Sequence, residues 1–251
     1  MKKVEDGTIQ IKGREGAKQI ILLGAFLSFF GILYYISPIG IYPDSGSYIS
    51  MQEGREPLYP LFLAFFRFLF READTIVWLA SSGQLESDKA MELIRTWPAL
   101  RVSMLLQSLF AAFSCYYMTR CIQKAFRLNW GMTILTGLCT WIPYVLTPLA
   151  SSSHMVLNMA VLTEGLSFPM YNMFGGSIVR GLFEKEKKYR YYLQAFVWAL
   201  LLALTRNQML VAFGVWIVSV CFEILRSRKW KGIFLLCLSV IIFFGGRRGI
   251  T

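Results

Sequence analysis

The chain has 251 residues, of which 55% are apolar, 16% aromatic and 16% charged, and its formal net charge is +11. A soluble domain carries about 25% charged residues, whereas here the apolar residues form runs long enough to cross a hydrocarbon layer. These values exclude a soluble enzyme, a disordered chain and a secreted scaffold held together by disulfides.

Seven apolar segments approach the length of about 20 residues that a transmembrane helix needs. They are Ile20–Ile41, Ala99–Met118, Gly131–Ala150, Val156–Ile178, Tyr191–Thr205, Gln208–Leu225 and Gly232–Phe244. The sequence therefore predicts an all-α, polytopic transmembrane helix bundle of about seven spans over residues 20–251, preceded by a polar tail over residues 1–19. No signal-peptide cleavage pattern follows the first span, so we expect that span to remain as an anchor.

Basic residues indicate the orientation, because short cytoplasmic loops collect lysine and arginine. With a cytoplasmic N-terminus, the inner segments hold 17 of the 26 basic residues. These are Lys2, Lys3, Lys12, Arg14, Lys18, Arg120, Lys124, Arg127, Arg180, Lys185, Lys187, Lys188, Arg190, Arg226, Arg228, Lys229 and Lys231. The pattern predicts an integral protein of the cell (plasma) membrane whose N-terminus is cytoplasmic.

Residues 42–98 form one long outer segment after the first span. Within it Leu58–Phe70 is apolar, but its 13 residues reach only about 20 Å as a helix, short of the roughly 30 Å hydrocarbon core. We expect a juxtamembrane helix in the outer interface, with Arg67 reaching towards the headgroups. A shallow hairpin with residues 75–80 is the alternative.

Asp44 follows the first span in the stretch PDSGSYI. Pro43 and Gly46 predict a turn there, and Asp44 can cap the next helix through its own carboxylate. Tyr48 lies four residues on and shares the face of Asp44 if a helix begins at this point. Alternatively, a carboxylate at the outer mouth of the bundle can accept a proton from an incoming hydroxyl.

Two further charged residues lie within or beside the apolar segments. Glu164 lies within the predicted fourth span, about 12 Å from its outer end at helical rise, where an ionisable group needs a cavity or a partner. It is either a functional residue or a structural one bonded to a neighbouring helix. Arg206 opposes the charge bias on the outer side, and three interpretations stay open: a pair with Glu164, a lipid phosphate held by the guanidinium, or contact with the headgroups.

No motif indicates a metal centre or a nucleic-acid surface. His154 is the single histidine, and no cysteine spacing suits zinc. A divalent cation held by Asp44 and other outer carboxylates stays open, although no spacing demands it. We expect membrane lipids as partners and no nucleic acid.

Three stretches together resemble the GT-C superfamily of polytopic glycosyltransferases, which includes the protein O-mannosyltransferases and the bacterial aminoarabinose transferases. The first is PDSGSY, followed by REPLYPLFLAF. The second is the span LLQSLFAAFSCYYM, which ends at a basic turn. The third is LTEGLSFPMY, followed by a charged turn and a span that ends in LLALTRNQ. The resemblance extends over residues 20–225, most of the chain.

The resemblance implies transfer of a sugar from a polyprenyl-phosphate carrier to a hydroxyl of a glycan, lipid or protein acceptor, with inversion, at the non-cytoplasmic face. Asp44 matches the family's catalytic base, which deprotonates the acceptor hydroxyl. Glu164 and Arg206 would line the cavity, with Arg206 at the lipid phosphate. The residues that would shape the mouth of the cavity are Tyr48, Arg55 and Tyr59.

Two departures from the family lead to other expectations. Members have more spans and often a soluble outer domain, whereas this chain ends soon after a 13-residue apolar run, which predicts an interrupted span and a truncated product. Many members also carry a second acidic residue beside the first, where Ser45 stands here. The alternative functions are a lipid-linked-sugar transporter or polymerase subunit, for which the expected paired repeats are missing, and a truncated non-catalytic relative.

Overall fold

The structure, a computed structural model, describes residues 2–42, 44–52, 55–70, 96–150, 156–184, 188–206 and 210–227. Its helices are α1 (Lys2–Ile36), α2 (Ser45–Ile49), α3 (Leu58–Phe70), α4 (Pro98–Phe126), α5 (Trp130–Ala150), α6 (Thr163–Phe183), α7 (Lys188–Thr205) and α8 (Leu210–Ser227), with a 3-10 helix at Leu157–Met159. Within these ranges there is no strand, and a single bridge pairs Gly40 with Ala160. The predicted all-α class is confirmed for this part of the chain.

Among the described residues, three helices are long and apolar enough to cross a membrane, namely Glu15–Ile36 within α1, Pro98–Phe126 and Trp130–Leu149. They coincide with the first three predicted spans and indicate a membrane protein. The predicted fifth and sixth spans are helical as α7 and α8, whereas the seventh lies outside the described residues. The total of seven spans, the identity of the membrane and the cytoplasmic N-terminus stay predictions.

Helix α1 differs from its prediction at both ends. It begins at Lys2, so the backbone of the predicted N-terminal tail continues directly into the first span. It ends at Ile36 rather than at Ile41, because Ser37 precedes Pro38, and a residue before proline disfavours the helical conformation. Residues 37–42 therefore leave the helix before Asp44 is reached.

The predicted fourth span, Val156–Ile178, is wrong at its N-terminal end. Val156 is extended, Leu157–Met159 form one 3-10 turn, and Leu162 is extended again, so that α6 begins only at Thr163. The segment 156–162 is held in this shape by hydrogen bonds to other elements, among them those between Gly40 and residues 159 and 161. The apolar composition of this stretch could not distinguish a buried non-helical segment from a helix.

Helix α4 lies at the centre of the described bundle and packs against α1, α3, α5 and α6. Small residues make close helix contacts on its buried face, where Ala111, Ala112 and Cys115 are fully buried. Close approach of backbones at small residues is the usual way for membrane helices to associate. The same face carries buried polar side chains, namely Ser103, Gln107, Ser108, Ser114 and Thr119.

Helix α3 has one buried face and one apolar exposed face. Tyr59, Leu63 and Phe66 are buried against the bundle, whereas Phe65 and Phe68 are exposed. Arg67 donates a hydrogen bond to the carbonyl oxygen of Ile49. The predicted helix is thus present with the predicted bounds, and its position at the membrane interface stays a prediction.

Ion pairs and a hydrogen bond connect α6, α7 and α8, the last three described helices. Lys188 at the start of α7 pairs with Glu223 of α8. Arg180 pairs with Glu184 at 2.5 Å and stacks on the ring of Tyr191 with 4.7 Å between its Cζ atom and the ring centroid. The indole N–H of Trp216 donates to the carbonyl oxygen of Tyr192 at 2.8 Å and fixes α8 to α7.

Candidate functional site

Backbone hydrogen bonds bring together the two segments that carry the predicted acidic residues. The amide of Gly40 donates to the Met159 carbonyl at 2.8 Å, and the amide of Val161 donates back to the Gly40 carbonyl at 2.9 Å. The hydroxyl of Ser45 donates to the Val161 carbonyl at 2.8 Å across 116 residues of sequence. The chain after α1 and the chain before α6 are therefore joined directly by hydrogen bonds.

Asp44 stands at the start of α2, but its carboxylate does not cap the helix. The residue itself has helical dihedral angles, φ −75° and ψ −18°, and its side chain makes no cap hydrogen bond. A capping side chain needs extended dihedral angles to reach back to the first amides, so the predicted capping role of the carboxylate is wrong. Instead, the Asp44 carbonyl oxygen accepts a hydrogen bond from the Ser47 hydroxyl at 2.7 Å.

The carboxylate of Asp44 pairs with Arg55, with 2.6 Å between Oδ1 and Nη2. The Asp44 side chain is 56% exposed, so it remains open to an incoming molecule. The guanidinium of Arg55 lies over the ring of Tyr48, with its Cζ atom 5.0 Å from the ring centroid. A cation over an aromatic ring is attracted by the ring's negative face, and Tyr48 thereby orients the partner of Asp44.

Tyr59 connects this exposed pair with the interior. Its ring meets that of Tyr48 edge to face at a centroid distance of 5.5 Å, and its hydroxyl donates to Oε1 of Gln107 at 3.1 Å. Burial raises the pKa of Tyr59 well above its ordinary value, and the negative charges of Tyr48, when ionised, and Glu164 raise it further. Tyr59 is therefore a neutral hydrogen-bond donor throughout the physiological pH range.

Glu164 and Arg206 form an ion pair between the start of α6 and the end of α7. Of the three interpretations of Arg206, the structure shows the pair with Glu164. Glu164 is not deep within a helix as predicted: it lies in the first turn of α6, where the helix dipole favours an acidic side chain. Oε2 of Glu164 also accepts a hydrogen bond from the Thr163 hydroxyl at 3.1 Å.

The Glu164–Arg206 pair is only partly buried. The side chain of Glu164 is 30% exposed and that of Arg206 is 40% exposed. Because one nitrogen of a guanidinium with five N–H donors contacts the carboxylate, the remaining donors can contact an anion. The pair can thus hold a phosphate while Glu164 fixes the orientation of the arginine.

Sequence reasoning missed Gln107, which links the site to the centre of the bundle. This fully buried side chain accepts from Tyr59 and donates to the carbonyl oxygens of Asn158 at 3.3 Å and Ala160 at 3.5 Å. The amide of Asn158 in turn donates to the Ser108 hydroxyl at 2.7 Å. A glutamine in the middle of a predicted span was the available signal, because polar residues in spans are expensive unless bonded.

Gly165 permits this arrangement by its lack of a side chain. A Cβ atom at this position would lie 2.6 Å from the Nε2 atom of Gln107 and 3.0 Å from the Leu157 carbonyl oxygen. Only glycine allows α6 to begin so close to the 3-10 turn that precedes it.

The structure thus joins all six of the predicted site residues in two groups. In the first group Asp44 contacts Arg55, Arg55 contacts Tyr48, and Tyr48 contacts Tyr59. The second group is the ion pair of Glu164 with Arg206, and the negative charge of Glu164 contributes to the raised pKa of Tyr59. That both groups open on one common pocket stays a prediction. His154 lies outside the described residues, and among the described ones no three histidine, cysteine, aspartate or glutamate side chains are grouped to hold a metal ion.

Comparison of the chain with models of protein families, with curated proteins and with solved structures finds no match. The resemblance to the GT-C superfamily therefore rests on the motifs of the sequence, and the function follows below as a proposal.

Proposed function

We propose that the protein is an integral membrane glycosyltransferase that moves a sugar from a polyprenyl-phosphate carrier to an acceptor hydroxyl at the non-cytoplasmic face. The observation that carries the proposal is the direct attachment of the Asp44 segment to the segment that precedes Glu164, through Gly40 and Ser45. A partly exposed carboxylate and a partly exposed guanidinium thereby belong to one structural unit.

Asp44 is the base in this proposal. Its carboxylate accepts the proton of the acceptor hydroxyl while the hydroxyl oxygen forms a bond to the anomeric carbon of the sugar. The bond between that carbon and the phosphate oxygen breaks, and the polyprenyl phosphate leaves with the electron pair. Attack from the face opposite the leaving group inverts the configuration at the anomeric carbon.

Arg55 and Tyr48 orient the base. The Arg55 guanidinium holds one carboxylate oxygen of Asp44 at 2.6 Å, which leaves the second oxygen to receive the proton. Because Arg55 is itself stacked on Tyr48, the carboxylate has a fixed direction before the acceptor arrives. Such preorganisation reduces the entropy that is lost when the reacting groups are aligned.

Arg206 is the group that binds the phosphate of the carrier. Its planar guanidinium can contact two phosphate oxygens at once, and Glu164 holds it in place through one nitrogen. Positive charge at the phosphate also stabilises the negative charge that develops on the leaving group.

The test is sugar transfer by the full chain in lipid nanodiscs, measured as release of free polyprenyl phosphate from a panel of polyprenyl-phosphate hexoses. We expect Asp44→Asn to lower the rate by roughly 10²–10⁴-fold, the usual contribution of a general base. Arg206→Lys keeps the charge but loses the planar fork, so it should raise KM for the carrier more than it lowers kcat.

Glu184→Gln is the matched control, because Glu184 forms a similar carboxylate–guanidinium pair with Arg180, at 2.5 Å, in a different part of the bundle. It should retain the wild-type rate. Wild-type transfer by Asp44→Asn would show that Asp44 is not the base. Binding of a polyprenyl-phosphate hexose without release of polyprenyl phosphate by the wild-type protein would favour a transporter or polymerase subunit instead.

A further inference from the structure

A groove of about 280 Å³ runs between α1 and α5. Its walls are apolar and include Leu22, Ala25 and Phe26 of α1 with Leu138 and Trp141 of α5. The volume is close to the lower limit of ligand pockets, which is about 300 Å³. The groove is therefore large enough for part of an apolar molecule.

Both helices of the groove face outwards. Of the most apolar window in each helix, only 17% is buried inside the protein, and Leu138 is 47% exposed. Because both helices are candidate membrane spans, the groove opens towards the hydrocarbon region of the bilayer. A molecule that enters it from the side would therefore come from the membrane.

The mouth of the groove is polar, in contrast to its walls. Nζ of Lys18 lies 5.3 Å from the ring centroid of Trp130, and both residues line the groove. Lys18 also contacts Glu15 at 3.3 Å, but an exposed pair of this kind is weak. A lysine near the end of a membrane helix attracts anionic headgroups, and a tryptophan prefers the level of the headgroups.

The indole N–H of Trp130 is a second, independent indication that a molecule binds in the groove. This nitrogen is buried and has no hydrogen-bond acceptor among the described residues. A buried donor without an acceptor is unfavourable, and Trp141 in the wall of the groove has the same kind of unpaired indole N–H, so a bound molecule that brings an oxygen into the groove would be stabilised. A phosphate or ester oxygen of a lipid supplies such an acceptor.

We propose that the groove between α1 and α5 binds one anionic phospholipid, with an acyl chain along the apolar walls and the phosphate at Lys18 and Trp130. This site is distinct from the proposed catalytic one. The 19 residues of α1 from Lys18 to Ile36 span about 27 Å at helical rise, and Asp44 lies beyond Ile36. The predicted cytoplasmic N-terminus would place the headgroup in the leaflet that carries anionic lipids.

Quenching of tryptophan fluorescence by brominated acyl chains tests the proposal. The full chain is placed in vesicles that contain dibrominated phosphatidylglycerol in phosphatidylcholine, or dibrominated phosphatidylcholine alone. The difference between the wild-type protein and Trp141→Phe reports the quenching of Trp141 within the groove. We expect a preference for phosphatidylglycerol on the order of fivefold, the contribution of one lysine at a charged surface.

Variants at Lys18 and Trp130 distinguish the effect of the charge at the mouth of the groove from the effect of side-chain packing. Lys18→Gln should bind both lipids equally, whereas Lys18→Arg should keep the preference. Lys18→Gln also removes the contact of Nζ with the Trp130 ring, and Lys18→Arg is the control that keeps a cation there. Trp130→Phe keeps the ring beside Lys18 but removes the N–H donor, and it should lower the affinity for both lipids.

Variants of the wall test the acyl chain. Ala25→Phe places a large ring in the groove and should lower both the quenching of Trp141 and the preference for phosphatidylglycerol. Gly24→Phe is the matched control, because a Cβ atom at Gly24 meets no atom within 4 Å and Gly24 does not line the groove. It should behave as the wild type.

Four results would each overturn the proposal. They are equal binding of the two lipids by the wild type, a preference that survives in Lys18→Gln, equal behaviour of Ala25→Phe and Gly24→Phe, and no quenching of Trp141 by either lipid, which would mean that protein covers the groove. Displacement of the brominated lipid by polyprenyl phosphate but not by unlabelled phosphatidylglycerol would assign the groove to the carrier instead.

Discussion

Helices α4 and α5 follow each other in the chain and are both apolar enough to cross a membrane, yet they are used differently. Of the most apolar window in α4, 56% is buried inside the protein, against 17% in α5. Helix α4 contacts its neighbours through small and polar side chains, among them Gln107. Helix α5 contacts α1 through aromatic rings, such as Trp141 stacked on Phe29 at 4.1 Å.

This difference shows where the bundle gains its specificity. In a bilayer, apolar side chains gain little by leaving lipid for protein, so polar bonds and close packing decide which helices associate. The surroundings of α4 fix the backbone that carries Asp44 and Glu164, whereas the contact between α1 and α5 leaves a groove. Substitutions near α4 should therefore cost more stability than substitutions between α1 and α5.

The largest effect is expected for Gly165→Ala. The new Cβ atom would lie 3.0 Å from the Leu157 carbonyl oxygen, a backbone atom that cannot move without disturbing the bond between Gly40 and Met159. We expect a loss of about 3 kcal/mol in the free energy of unfolding, measured by reversible unfolding in bicelles. Gly31→Ala is the control, because a Cβ atom there meets nothing within 4 Å, and it should be neutral or stabilising.

The second largest loss in the free energy of unfolding is expected for Gln107→Leu. It removes the nearer acceptor of the Tyr59 hydroxyl and the side-chain donor to two buried carbonyl oxygens, and unmet buried polar groups are costly. We expect a loss of about 2 kcal/mol in the same measurement. If Gln107→Leu were as stable as the wild type, polar bonding would not distinguish α4 from α5.

Tyr59→Phe should cost about 1 kcal/mol, the usual contribution of one hydrogen bond, and it should change the response to pH. Tyr59 lies in α3, outside the predicted spans, and burial raises its pKa well above 10.0. Between 10.0 and that higher value the unfolded state has released a proton that the folded state retains, so the stability of the wild type falls as pH rises.

The variant has no phenolic proton at this position, so its stability should fall less steeply above pH 10. Equal slopes for the two proteins in unfolding experiments at rising pH would show that Tyr59 is not buried as described.

The smallest effect is expected for Phe29→Leu, between α1 and α5. It removes the stack on Trp141 and leaves an apolar side chain in contact with lipid. We expect about 0.5 kcal/mol, the lower range for an aromatic pair. A cost equal to that of Gln107→Leu would remove the proposed difference between the two regions.

Part of the fold could be predicted because it depends on local composition. The length of the apolar runs predicts α4 and α5, and the short run Leu58–Phe70 predicts α3 with its observed bounds. The pair of Glu164 with Arg206 was one of the predicted alternatives, because each charge lay in apolar surroundings and needed a partner.

Other features could not be predicted because they depend on contacts between distant residues. The non-helical shape of residues 156–162 follows from Gly40 and Gln107, which are far away in sequence. The pair of Asp44 with Arg55 needs the intervening turn to bring together residues 11 positions apart. The bonds of Gln107 to residues 59, 158 and 160 follow only from the packing of α3 and α4.

The bond between Ser45 and Val161 has a consequence for biosynthesis. Its two partners are 116 residues apart, and a ribosome that adds roughly 5–20 residues per second needs on the order of ten seconds to translate that distance. During this interval the Asp44 segment has already emerged beyond α1 without its later neighbour. A nascent chain released before Val161 would contain Asp44, Arg55 and Tyr48 but would lack the segment to which Ser45 attaches them.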